Sequence, residues 1–119
     1  MSSYPLVRAW HHARMDDVFE CDLQAGEDGD LWVLPRGDLD LAGAPEFEEA
    51  LSLALASDAT SIVVDLRGLE LLDSAGLRAL LAASAGEGGE RISFVAGNEM
   101  VQGVLRISGL LDELPFRPA

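Results

Sequence analysis

The order of apolar patterns predicts an α/β fold: a mixed central sheet of about four strands, opening on an N-terminal β-hairpin and packed with three to four helices in the order β-β-α-β-α-β-α. Three observations carry this. Two apolar segments flank the turn cluster Ala25-Gly26-Glu27-Asp28-Gly29-Asp30, which marks a hairpin. Residues 62–66, Ile-Val-Val-Asp-Leu, are apolar in all but one position without alternation, as a strand covered on both faces requires. Helical periods then alternate with the later strands, so those connections should be right-handed crossovers between parallel neighbours, with the hairpin as an antiparallel edge.

Taken in order, residues 1–16 show neither period and read as a flexible extension to a domain spanning 17–119. Val18-Phe19-Glu20-Cys21-Asp22-Leu23 alternates as a first strand, and Leu31-Trp32-Val33-Leu34-Pro35 makes a second. After Gly37-Asp38-Leu39-Asp40-Leu41, Pro45 suits a first helical turn, and Glu46, Glu48 and Glu49 suit its dipole. Phe47, Ala50, Leu51, Ala54 and Leu55 recur at helical spacing and form one apolar face. A second helix is expected over 74–85, stopped by Gly86-Glu87-Gly88-Gly89, and Arg91-Ile92-Ser93-Phe94-Val95-Ala96 reads as a strand. Met100, Val101, Val104, Leu105 and Ile107 give a third helix ending at Gly109, and 110–114 adds a short helical turn before Pro115.

Composition narrows the function. At 119 residues the chain suits one domain, large enough to bury over ~60% of its unfolded surface without disulfide or metal. The single Cys21 makes no intramolecular disulfide, and the absence of a leader-like or membrane-spanning pattern leads us to expect a cytoplasmic protein. The net charge is −13, from 21 acidic residues against 8 basic ones, all of them arginine and dispersed. Such a field repels nucleic acid and anionic membranes, so neither is expected as a partner. Adjacent His11 and His12 lack the spacing and companions of a metal site, and Trp10 has no readable role; Trp32 reads as packing.

The most informative segment is Asp73-Ser74-Ala75-Gly76-Leu77, which follows the strand over 61–66 and opens the second helix. It puts a hydroxyl at a helix N-terminus, where a phosphate is readily accepted. From the residues alone, either Ser74 or Asp73 serves as an N-cap, Asp38 and Asp40 read as solvated turn residues, and Leu77 either enters the core or offers an apolar contact. Gly76 reads as a small residue that lets a partner approach the backbone closely.

These segments, Gly37-Asp38-Leu39-Asp40, Asp65-Leu66, Asp73-Ser74-Ala75-Gly76-Leu77 and Ile107-Ser108-Gly109-Leu110, together resemble the STAS domain of bacterial anti-sigma factor antagonists over about residues 17–116. The resemblance implies that Ser74 is phosphorylated by an anti-sigma factor that is itself an ATP-dependent serine kinase. The unphosphorylated form would bind that kinase and free a sigma factor, and a serine phosphatase would reset the cycle. Asp38, Leu39, Asp40, Asp73, Ser74, Ala75, Gly76, Leu77 and Arg78 would then form the partner-binding surface. The chain departs from the pattern in three places: Gly43 stands where a hydroxyl residue is common, which would loosen that turn or remove a minor contact, Gly97-Asn98-Glu99-Met100 lacks a proline, and about the first 15 residues have no counterpart.

An enzyme is not expected. The Ser74 segment has no histidine base, and the sequence lacks a phosphate-binding glycine loop and a metal-ligand cluster, so no cofactor or metal is assigned. The alternative from another class is a constitutive STAS subunit of a stress-sensing assembly or of a lipid-transport ABC system.

Overall fold

The computed structural model describes residues 7, 8 and 19–119. Among them are seven strands, β1 (Val7–Arg8), β2 (Glu20–Ala25), β3 (Asp30–Leu39), β4 (Ser61–Asp65), β5 (Leu69–Leu72), β6 (Ile92–Val95) and β7 (Phe116–Arg117). Three helices join them: α1 (Ala44–Ala56), α2 (Ser74–Ala85) and α3 (Glu99–Ser108). The sheet runs β1-β2-β3-β4-β6-β7, with β5 paired to the far end of β3. The β1–β2 and β2–β3 pairs are antiparallel and the others parallel, so the antiparallel hairpin and the parallel later neighbours stand as expected, but β1 rather than the hairpin forms that edge of the sheet.

The hairpin turns where Asp28 and Gly29 take φ of 58° and 84°, a conformation that aspartate tolerates and glycine adopts freely. Ala25 then faces Leu31, and the register places Cys21, Leu23, Leu31 and Val33 in the core. All three helices cover this one side. Phe47, Ala50, Leu51 and Ala54 of α1, Ala79, Leu80 and Ala83 of α2, and Val101 and Leu105 of α3 share a cluster with Ile62, Val64, Ile92 and Phe94. On β3 the alternate residues Trp32, Leu34 and Arg36 look the other way and are only half-buried.

Three strands were not expected from the sequence: β1, β5 and β7. β1 and β7 have two residues each, too few to show a period. β5 follows a 3₁₀ turn over Leu66–Gly68, where Asp65 caps the turn by accepting the Arg67 N–H at 3.0 Å. The second strand also runs past Pro35 to Leu39, because Pro35 falls in the gap between the last residue paired with β4, Val33, and the first paired with β5, Gly37. A missing N–H disturbs the ladder least there.

Helix ends account for several isolated polar residues. Asn98 caps α3 by accepting the Val101 N–H at 2.8 Å, which replaces the absent proline as the start signal. Gly109 closes α3 at φ 82°. Arg91 donates to the carbonyls of Leu55 at 2.6 Å and Ala59 at 2.7 Å, satisfying oxygens at the end of α1. On α3 the apolar pattern is wider than the buried face: Val101 and Leu105 are core, whereas Met100 and Ile107 are exposed. The segment 110–114 forms turns, with Leu114 buried.

Candidate functional site

Two chain segments meet at the carboxyl end of the long strand. β5 pairs with β3 through Gly37↔Leu69, Asp38↔Leu71 and Leu39↔Leu72, with a register shift after Gly37. Gly37 takes φ 97°, which a side chain would resist, and the shift turns the end of β3 alongside the residues leading into α2. The Asp73 N–H then donates to the Leu39 carbonyl at 3.3 Å. Asp38–Asp40 and Asp73–Ser74 are thereby fastened side by side.

Asp73, not Ser74, is the N-cap. Its Oδ1 accepts the Gly76 N–H at 3.0 Å, and its carbonyl accepts the Leu77 N–H at 2.8 Å. Ser74 is the first helical residue and is exposed, so its hydroxyl is not spent on capping. The Ser74 and Ala75 amides precede the first intrahelical bond, as at any helix N-terminus. Ser74 follows the short β5 rather than the strand over 61–66, with a 3₁₀ turn and β5 intervening.

Gly76 has a different role from the one expected. A Cβ there would lie 2.3 Å from the Leu39 carbonyl oxygen and 2.7 Å from Leu72 Cδ1. The close approach is made by the molecule's own strand, so Gly76 seats α2 against β3. Leu39 and Ala75 are also buried and support the surface from beneath. Leu77 is half-buried against the core, and Arg78 is exposed one turn beyond Ser74 on the same face.

Asp38 belongs to β3, not to a turn, and is half-buried. Asp40 is the turn residue: its Oδ1 accepts the Gly43 N–H at 3.0 Å and its carbonyl the Ala44 N–H at 2.8 Å. This bond holds the turn that Gly43 was expected to loosen. A Cβ on Gly43 would come within 2.9 Å of the Asp38 carbonyl and of the Phe19 ring, so the glycine allows tight packing.

Elsewhere, Gln24, Ala25, Gly26, Trp32, Leu34, Asp65 and Arg67 line a groove of about 270 Å³ that runs from the hairpin to the end of β4. Arg117 crosses this side with its guanidinium 5.9 Å from the Trp32 ring centre. Burial pushes the Asp65 carboxyl up, but hydrogen bonds from the Arg67 side chain and backbone, with its charge, outweigh this and hold it below its usual value. Burial, with Glu46 and Asp22, pushes the Cys21 thiol up to about 12, which makes it no nucleophile. His11, His12 and Trp10 lie outside the described residues, as does all of the 1–16 extension except Val7–Arg8. Among the described residues, no helix is long and apolar enough to cross a membrane.

Sequence reasoning missed two side chains here: Leu41, 74% exposed, and Leu71, 37% exposed. A leucine beside a turn carries no period to show whether it is buried.

The family model described as Mlab, STAS domain matches residues 27–115. The chain belongs to the STAS domain family. It is similar to the anti-sigma-F factor antagonist RsfB of Mycobacterium tuberculosis, with 34% identity over 76 residues; the match covers 62% of this chain and 62% of RsfB. This STAS domain also resembles the crystal structure of an anti-sigma factor antagonist from Mycobacterium paratuberculosis, with a TM-score of 0.78 and 27% identity over 90% of this chain and 92% of that one. Unphosphorylated SpoIIAA shares the fold, with a TM-score of 0.65 and 21% identity over 83% of this chain and 87% of that one. SpoIIAA of Bacillus in its phosphorylated form matches with a TM-score of 0.60 and 20% identity, over 83% of this chain and 90% of that one.

Proposed function

We propose that this STAS domain is an anti-sigma factor antagonist that binds an anti-sigma factor serine kinase when unphosphorylated and releases it when Ser74 carries a phosphate. The observation that carries this reading is the exposed Ser74 hydroxyl at the first position of α2, left free by the Asp73 cap. The names of two relatives, RsfB and the Mycobacterium paratuberculosis protein, support the antagonist role, and a protein of this fold has been solved in both phosphorylation states.

The physics favours a switch that leaves the fold intact. A phosphate on Ser74 gains roughly 0.3–1 kcal/mol from the helix N-terminus, and Arg78 lies one turn away to pair with it. It also adds about −1.5 to −2 charges beside Asp73. Enclosing that charge in an interface costs about 3 kcal/mol or more, equivalent to roughly a hundredfold loss of affinity. A serine phosphatase would restore binding. Asp38, Asp40, Asp73 and Arg78 form the charged part of the partner surface, with Leu39, Ala75 and Gly76 holding its shape.

Calorimetric titration of the organism's kinase-type anti-sigma factors tests the reading. Ser74→Ala should bind like the wild type and stay bound in the presence of ATP, while Ser74→Glu should fold and bind at least about tenfold more weakly. Equal affinity of all three proteins would favour a constitutive STAS subunit.

A further inference from the structure

Leu41 is largely exposed and Leu71 partly so, at 37%, and neither belongs to the core cluster. Both flank the joined segments of the site. Leu71 is the register partner of Asp38, and Leu72 that of Leu39, whose carbonyl accepts the Asp73 N–H at 3.3 Å. Leu41 lies two residues beyond that junction, and Leu71 three residues before Ser74. Leucine at 74% exposure in a turn adds nothing to this fold, and a polar residue would serve the turn as well. Asp40 and Glu70 are their chain neighbours, Asp38 is paired with Leu71 across the two strands, Asp73 follows Leu72, and Arg78 is the cation one turn into α2.

We propose that Leu41 and Leu71 are the apolar anchors of the partner-binding surface, and that they seat in an apolar hollow with a basic rim on the anti-sigma factor. This rests on the function proposed above. Interface energy concentrates in a few desolvated apolar anchors, whereas rim charges mainly steer association and select the partner. An acidic rim on a chain of net charge −13 selects a basic counterpart. The arrangement also couples the switch to the anchors, because a hydrated phosphate on Ser74, held by the helix N-terminus and Arg78, adds bulk and bound water beside the leucines and keeps them from seating in an apolar hollow.

The test uses the kinase-type anti-sigma factor of the source organism that phosphorylates the wild-type chain, titrated without ATP. Leu41→Ser, Leu71→Ser and the double variant are compared with Leu53→Ser, a control on α1 with 49% exposure. Each is measured with and without Ser74→Glu. Each site leucine variant should bind about tenfold more weakly with an unchanged melting temperature, and the control should stay within about twofold. In the double variant, Ser74→Glu should cost far less affinity than in the wild type, a coupling that general loss of structure does not produce. Site variants that bind within about twofold of the wild type would overturn the anchor assignment alone. Failure of the wild type to be phosphorylated or bound by any such kinase would overturn the underlying reading, and this inference with it.

Discussion

At the scale of single residues, Gly76 sets two effects against each other. Helix propensity alone favours alanine there by up to about 1 kcal/mol. The backbone carbonyl of Leu39, 2.3 Å from where a Cβ would stand, opposes it, and a backbone oxygen cannot swing aside. Gly76→Ala is therefore expected to destabilise by about 1–3 kcal/mol and to shift Ser74 relative to Asp38 and Asp40. Chemical denaturation measures the first effect, and a stabilised variant would show that α2 is not seated by this contact. The sequence reading had Gly76 admit a partner to the backbone, whereas the atom that approaches is the molecule's own Leu39 carbonyl, because the contact joins residues 39 and 76 across a strand pairing that no local pattern records. Asp73 and Ser74 were similarly ambiguous as caps. Only the bond from the Gly76 N–H to Asp73 Oδ1 separates a residue that holds the helix from one left free for chemistry.

At the scale of elements, β4 was legible as an unbroken apolar run, the hairpin by its turn cluster, and the three helices because each spans enough residues to show its period. β5 was not, although the site depends on it, since it carries one half of the surface to the other. Its placement begins at Asp65, which receives the Arg67 N–H at 3.0 Å and Nη2 at 2.8 Å. Because the folded-state pKa of Asp65 is lowered, the group stabilises the fold above the usual carboxylate value, and that contribution is lost as pH falls through the lowered value. Asp65→Ala should cost about 1–2 kcal/mol at neutral pH, with the gap to the wild type narrowing below about pH 4. Urea titrations at neutral and acid pH check this, and a gap that widened in acid would contradict it. The wide apolar pattern of α3 taught the converse lesson: Met100 and Ile107 share its period yet lie exposed, because periodicity gives a face and not its coverage.

At the scale of the molecule, the helices lie on one side of the sheet, and all three begin at the carboxyl ends of strands. That end gathers Asp38, Asp40, Asp73 and Ser74, which lie far apart in the sequence. The net charge of −13 means that one more phosphate has to act locally, through what it does to a contact at Ser74, rather than by changing the sign of the field. The central claim is thus a single modification at a single hydroxyl. Intact-mass spectrometry after incubation with ATP and the kinase-type anti-sigma factors of the organism tests it most directly. The account predicts a gain of one phosphate by the wild type and none by Ser74→Ala. A gain retained in Ser74→Ala, or no gain by the wild type with any of these kinases, would contradict it.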